Sequence, residues 1–368
     1  MSDWYPVLNA DEIPSPCLLI YPERIENNLQ LMIDIAGGAE KLRPHVKTHK
    51  LPQIIELKRA CGIEKFKCST IAEAEMTAAA GGKDVLLAYQ PVGPGIPRLL
   101  TLMLQFPQTK FSTIVDDAEI IRQIGQLATE KGLEVPLYLD LDVGMHRTGI
   151  VPGEAGRELY RLIAQTKGVS PAGLHAYDGH LHDPDEAILK EEALRTFQQV
   201  IDFKAQLEVE GYDVPGIAAS GTPTFPILAQ YRDVEVGCGT SVLWDAGQPR
   251  LSGDPGFQNA AVLLARVISK PHSDLLTLDL GHKAVASEMP HPRVRLFGLE
   301  DAEVVIHSEE HLTLKTPLTQ SYRVGDVVYG LPWHVCPTVA LHHEAWVVRE
   351  QRAVECWEIV ARKRKLSI

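Results

Sequence analysis

KFKCSTIAEAEMTAAAGGKDVLLAY (65–89) holds the pattern from which the fold is read. KFKCST (65–70) and DVLLAY (84–89) are short β-type runs. Between them TIAEAEMTAAAGG (70–82) has a helical pattern and closes on two glycines. A strand, a helix and a strand in sequence predict parallel strands joined by a right-handed crossover. The same alternation extends in both directions. Further strands are expected at CLLIY (17–21), LRPHVKTHK (42–50), KFSTIVD (110–116), VPLYLDLDVG (135–144) and GLHAYDG (173–179). Helical patterns occupy ERIENNLQLMIDIAGG (23–38), LPQIIELKRACG (51–62) and AEIIRQIGQLATEKG (118–132). The clearest helix is ILKEEALRTFQQVIDFKAQLEVEG (188–211), closed by Gly211. With about eight strand candidates before residue 250, a closed (β/α)8 TIM barrel fits better than an open sheet. No GxGxxG follows the first strand, which weakens the dinucleotide-fold alternative.

After about residue 255 the texture changes. VLLARVISK, DLLTLDLG, AEVVIHSE, HLTLKT, DVVYGLP, EAWVVRE and AVECWEIVARK are β-type runs joined by short turns, with no long helix between them. They predict a separate C-terminal antiparallel β-domain. The α/β class is thus a barrel followed by a β-domain, which suits a chain of 368 residues.

Composition narrows the function. Hydrophobic residues make up 45%, enough for a sizeable core, which excludes a mainly disordered chain. No run reaches the roughly 18 apolar residues of a membrane helix. The opening MSDWYPVLNADEIPSPC carries acidic residues and no apolar signal segment. The net charge of −12 argues against a large nucleic-acid surface. Cysteines 17, 61, 68, 238, 336 and 356 form no CxxC pair and read as reduced, cytoplasmic thiols.

Five clusters bear chemistry. In RPHVKTHK (43–50), read as a strand, His45, Lys47 and His49 share one face. Positive neighbours favour the neutral amine that a Schiff-base lysine needs. A solvent-facing basic strand end is the plain alternative. In LDLDVGMHRTG (139–149) an apolar strand runs into Asp140, Asp142 and then Arg147. Arg147 could hold an anion or a phenolate at the barrel mouth, or simply follow a capped strand end. HAYDGHLHD (175–183) crowds three histidines, Tyr177 and two aspartates at another strand end, which suits acid–base work or metal binding. SGTPT (220–224) and EVGCGTS (235–241) offer small, hydroxyl-bearing and glycine-rich loops where late barrel loops bind phosphate. WHVCPT (333–338) places His334 and Cys336 on one face of an extended segment, a pair that suits zinc. Two ligands leave coordination positions for water or substrate, as in a catalytic metal site.

Taken together, LRPHVKTHK, DVGMHRTGI, AYDGH, SGTPT, EVGCGT, LDLGHKAVASE and LPWHVCPTVALH resemble, in that order, the D-threonine aldolase and D-serine dehydratase family. These are fold-type III pyridoxal-phosphate (PLP) enzymes related to alanine racemase. The resemblance spans essentially the whole chain, and its specific parts are the lysine and HVCPT segments. It implies a cofactor barrel over 22–252 and a β-domain over 253–368, joined by the N-terminal segment 1–21. It also implies a homodimer acting on a small D-amino acid, with pyridoxal 5'-phosphate and a divalent metal, zinc or manganese. By the resemblance Lys47 carries the cofactor, with His45 beside it. Arg147 lies near its phenolic oxygen and Tyr177 meets its ring. Ser220, Gly221, Thr222, Gly239 and Thr240 hold its phosphate, and His334 and Cys336 hold the metal. His180 or His182 is the expected base for the β-hydroxyl proton. The expected activity is cleavage of D-β-hydroxy amino acids to glycine and an aldehyde. D-serine dehydration is the alternative, favoured by His-x-Cys where the metal-dependent aldolases more often show His-x-Asp. A racemase and a PLP-binding protein without turnover are more distant readings.

Overall fold

The computed structural model describes residues 3–252 and 255–368. The first strand, β1 (Cys17–Ile20), leads into α1 (Pro22–Ala36). After the cofactor-lysine segment the chain runs through α2 (Pro52–Ala60), β2 (Lys65–Cys68), α3 (Ile71–Ala79) and β3 (Asp84–Leu87). It continues as α4 (Gly95–Gln105), β4 (Lys110–Val115), α5 (Ala118–Glu130), β5 (Val135–Leu141), α6 (Glu154–Gln165) and β6 (Val169–Ala176). The long α7 (Glu186–Val209), β7 (Ile217–Ala219), the short α8 (Phe225–Leu228), β8 (Val234–Val236) and α9 (Pro249–Ser252) complete this part. Local chemistry starts the helices. Thr70 accepts the Glu73 N–H at 3.1 Å to cap α3, and Asp117 accepts two N–H groups to cap α5. Each such cap is worth about 1 kcal/mol.

β2 to β8 form a parallel sheet in sequential order. The expected strand at 42–50 is the point of difference. Only Leu42–His45 is extended, and it bridges both edges of the sheet, Leu42 to Val236 and His45 to Lys67. The Arg43 and His45 N–H groups donate to Val236 and Cys238, and Pro44 accepts from the Lys67 N–H. The ring of eight is thereby closed. Residues 46–48 then turn into a 3-10 helix, because the His45 side chain accepts the Lys47 N–H at 3.2 Å and caps it.

A layer of charge lies inside the barrel towards the N-terminal ends of its strands. Arg43, almost wholly buried, meets Glu235 at 2.5 Å and Asp84 at 2.7 Å, and Lys65 meets Glu235 at 2.6 Å. Leu86, Ile114, Tyr138 and Ala218 form a small apolar cluster of their own. The main core packs the helices against the outside of the barrel.

The second sheet holds β9 (Ala261–His272), β10 (Leu275–Leu278), β11 (Val294–Leu296), β12 (Glu303–His307), β13 (Leu312–Lys315), β14 (Val327–Pro332), β15 (Glu344–Arg349) and β16 (Arg352–Glu358). Its pairings are antiparallel except that β1 runs parallel to β15. The N-terminal strand thus lies between β9 and β15, away from the barrel sheet. The seven-residue α10 (Val335–Leu341) interrupts the β texture directly after His334. The expected junction at 252/253 touches residues 253 and 254, and the expected segment 1–21 begins with residues 1 and 2, all outside the described residues. Among the described residues no helix is long and apolar enough to cross a membrane.

Candidate active site

The turn at 46–48 decides where the cluster around Lys47 points. His45, Lys47, Thr48, Tyr177, Ser220, Gly221, Thr222, Gly239 and Thr240 line one small cavity, together with Lys67 and Gly237. Eight of the expected site residues therefore meet at the C-terminal mouth of the barrel, where such folds keep their chemistry. His49 does not share the face of Lys47, because the chain there is not a strand. Its Nδ1 accepts the Leu51 N–H at 3.1 Å, and its Nε2 lies 3.1 Å from Lys58 Nζ, in a buried position.

Three cations surround the Tyr177 ring. The Arg147 guanidinium carbon is 4.8 Å from its centroid, Lys67 Nζ 5.7 Å and Lys47 Nζ 6.0 Å. Among the described residues, none of the three forms a salt bridge with a carboxylate. Asp140 and Asp142 do not serve Arg147. Asp140 pairs with His175 at 2.6 Å inside the barrel, and Asp142 accepts from Gly144 and His146 to shape its own loop. Burial lowers the Lys67 amine to about 8, with Lys47 adding to the effect. Burial, then Lys47 and Lys67, holds His45 well below its usual range, so its ring is neutral and free to accept the Lys47 N–H.

The loops after β7 and β8 form a small cradle. Thr222 Oγ1 accepts from the Gly239 and Thr240 N–H groups at 3.3 and 3.2 Å. Asp178 Oδ1 accepts the Gly221 N–H at 2.8 Å and fixes that loop. A Cβ on Gly239 would stand 3.1 Å from Thr48 Oγ1 and 3.2 Å from His45 Cβ, so the loop passes too close for a side chain. Converging cations that form no salt bridge among the described residues, beside hydroxyls and a glycine cradle, fit an anionic, phosphate-bearing cofactor.

His334 and Cys336 stand at the start of α10 rather than on an extended segment. Asp245 holds that turn by accepting from Val335, Gly247 and Gln248, and burial pushes its carboxyl up to about 6. Cys336 Sγ lies against two residues of the cavity wall, 3.2 Å from Thr48 Oγ1 and 3.7 Å from Thr240 Oγ1. Burial raises the Cys336 thiol, but His334, then Lys47 and Thr48, outweigh it and hold the thiol below its usual value. Burial opposes the charged His334 ring, yet Cys336, Glu288 and Asp245 push it up to about 9. Glu288 lies 2.6 Å from His334 Nδ1, leaving Nε2 as the ligand atom, the usual carboxylate–histidine support of a metal site. Among the described residues no group of three or more metal-ligating side chains converges. His334 and Cys336 would by themselves supply two ligands, and a metal held by them would keep its other positions open.

The two expected bases lie in different surroundings. His180 is half-buried against Gly144, and its Nδ1 has no partner. His182 is exposed, with Nδ1 2.7 Å from the His180 carbonyl oxygen. Sequence reasoning missed Lys67, Thr48, Gly237, Asp178, Asp245 and Glu288 as site residues. Lys67 carried a usable signal, since it stands at the C-terminal end of a barrel strand two residues after Lys65.

Residues 20–242 match the alanine racemase N-terminal domain, which covers more than half of the chain. The chain belongs to that family. Residues 260–348, which include His334 and Cys336, match a serine dehydratase domain. These are the fold-type III PLP proteins to which the sequence resemblance pointed. The chain is 30% identical over 356 residues to a D-threonine aldolase of an Arthrobacter species, covering 95% of this chain and 93% of that protein. It is 27% identical to a 3-hydroxy-D-aspartate aldolase of Paracoccus denitrificans (strain Pd 1222), covering 97% and 94%. The crystal structure of D-threonine aldolase from Filomicrobium marinum superposes with a TM-score of 0.87 at 28% identity, covering 96% of each chain. The similarity runs through both the barrel and the β-domain.

Proposed function

We propose that this protein is a PLP- and divalent-metal-dependent lyase that cleaves D-β-hydroxy amino acids to glycine and an aldehyde. The observation that carries the reading is the approach of Cys336 Sγ to within 3.2 Å of the hydroxyl of Thr48, the neighbour of Lys47. A hydroxyl-activating site at Cys336 would thus lie next to the wall of the cofactor-lysine cavity. The similarity to the two aldolases supports the same activity.

Lys47 Nζ is the amine that holds the cofactor. When bound, PLP supplies an electron sink for the bond broken at Cα. His334 and Cys336 would hold the metal, zinc or manganese, which would supply Lewis acidity at the β-hydroxyl. Ser220, Gly221, Thr222, Gly239 and Thr240 would hold the phosphate, Tyr177 would meet the ring, and Arg147 would serve its phenolic oxygen. His180 takes the β-hydroxyl proton at Nδ1, the buried atom without a partner. The exposed His182 is the second choice. The homodimer implied by the resemblance and the cytoplasmic location read from the unpaired cysteines belong to this reading, and a solution mass measurement checks the former.

A dehydratase is the second reading. It is favoured by the His-x-Cys pair and by the serine dehydratase match over 260–348. Lys47 would then remove the α-proton, and ammonia and a 2-oxo acid would leave. The deciding experiment incubates the protein, PLP and zinc or manganese with D-threonine and D-serine separately. Glycine and acetaldehyde from D-threonine, without ammonia, are expected. Ammonia and pyruvate from D-serine, with no glycine from D-threonine, would replace the aldolase reading by the dehydratase.

A further inference from the structure

Lys67 is the feature of the cavity that the proposed chemistry leaves unused. It is buried, lines the cavity wall and points inward from the end of β2. Its Nζ stands 2.5 Å from where a Cβ on Gly237 would lie, and its Cε 3.0 Å, so the ammonium occupies the volume that a side chain at 237 would fill. Among the described residues it forms no salt bridge, and its side chain donates no hydrogen bond to a protein acceptor. The buried Asp178 favours its charge but makes no hydrogen bond or ion pair with it, and a buried ammonium with no acceptor is costly unless a ligand completes it.

We propose that Lys67 is a second cofactor-holding lysine, bonded not covalently but by donating a hydrogen bond to the ring nitrogen of PLP. This inference rests on the reading that the cavity takes that cofactor. The phosphate has its own donors in the loops at 220–222 and 239–240. Lys67 stands instead with Lys47 and Arg147 around the Tyr177 ring, the side chain expected to meet the cofactor's ring. That ring offers two polar acceptors, the phenolic oxygen and the nitrogen. Arg147 takes the first in this reading, and Lys67 is left for the second. The absence of a side chain at Gly237 is what admits it. An ammonium donating to the nitrogen leaves that atom unprotonated, which tempers the ring as an electron sink.

The test titrates cofactor-stripped wild type, Lys67→Met and Gly237→Ala with PLP and, separately, with pyridoxal, following the visible absorbance. Gly237→Ala is a second route to the same loss, because its Cβ would stand 2.5 Å from Lys67 Nζ and displace the flexible end of that side chain, although the Ser220 carbonyl oxygen, 3.1 Å away, must also give slightly. Both variants are expected to weaken PLP and pyridoxal binding by a similar factor, about tenfold or more, and to shift the absorbance maximum. Circular dichroism is expected to match wild type for at least one of them. Wild-type affinity and spectrum in both variants would overturn the role of Lys67 while leaving the cofactor reading intact. A loss confined to PLP would place Lys67 on the phosphate and overturn the ring assignment. Failure of wild type itself to bind PLP would overturn the cofactor reading instead.

Discussion

Lys65 and Lys67 stand two residues apart on β2 and point into the same barrel, but they meet different neighbours across the ring. Lys65 faces Glu235 at 2.6 Å. Lys67 faces Gly237, two residues further along that same segment, and forms no salt bridge, although the charge of the buried Asp178 favours its ammonium. The lower layer, with Arg43, Asp84, Lys65 and Glu235, is electrostatically complete. The upper layer, with Lys47, Lys67 and Arg147, is a set of cations around the Tyr177 ring that, among the described residues, form no salt bridge. A protein that maximised stability would pair both layers. The unpaired one marks where a ligand completes the charge balance. Two layers one side-chain repeat apart thus separate scaffold from site.

This contrast can be broken in either layer, and the upper layer gives the largest effects. Lys47→Ala is expected to abolish the yellow, borohydride-reducible adduct and to lower turnover by a factor of 10³ or more, with little change in Tm. A surviving reducible adduct would show that another amine holds the cofactor. Cys336→Ala is expected to lower bound metal and cleavage together by about 10²-fold, with PLP still bound. Metal analysis beside a spectral titration checks this, and full activity in metal-free buffer would remove the metal from the reaction.

The lower layer should respond in stability rather than in chemistry. Glu235→Gln strips Arg43 and Lys65 of a charged partner, at an expected cost of about 3–5 kcal/mol. Denaturant unfolding measures it, and kcat per folded molecule should barely move. The same carboxylate predicts an acid limb. Burial opposes its charge, but Arg43 and Lys65 outweigh it and lower its pKa below the ordinary 4.5. Its contribution is therefore complete above that value and is lost as pH falls through the lowered one. Glu235→Gln should flatten stability in that acid window only.

The smallest effect should have the opposite sign. Lys67→Met is expected to stabilise the cofactor-free protein at pH 7 by on the order of 1–3 kcal/mol, because it removes a buried charge without a partner. The wild-type amine is depressed from 10.5 to about 8. The unfolded chain therefore binds the extra proton between those values, and wild-type stability should rise with pH across that window. The variant should lose that slope. A Tm that falls in Lys67→Met would mean that the lysine has a protein partner, and the contrast between the layers would disappear.

Much of the fold was legible. Alternating β and α runs marked the barrel strands, and the loss of helical pattern after 255 marked the second sheet. The misreading at 42–50 is instructive. Alternating His45, Lys47 and His49 looked like one strand face, but a side-chain cap at His45 ends the strand after three or four residues. That local hydrogen bond sends Lys47 into the cavity and His49 behind it. The His334–Cys336 pair was also read as extended, whereas Asp245, nearly a hundred residues earlier, starts a helix there. Asp178 was visible within the HAYDGHLHD cluster, but its role in holding the Gly221 loop depends on a contact across 43 positions.

The sequence by itself determined the local quantities: which runs form strands and helices, which turns carry glycine, and which side chains bring amines, imidazoles and a thiol. Those follow from periodicity and side-chain chemistry over a few residues. Only the tertiary structure decided which charges found partners. Glu235 neutralises Arg43 and Lys65 because ring closure sets segment 42–45 between β2 and β8. Lys67 is left bare because the same closure sets it against a glycine, and Cys336 meets Thr48 across 288 positions of chain. Electrostatic satisfaction depends on distances of a few ångströms and on exclusion from water, and both arise only when distant segments pack.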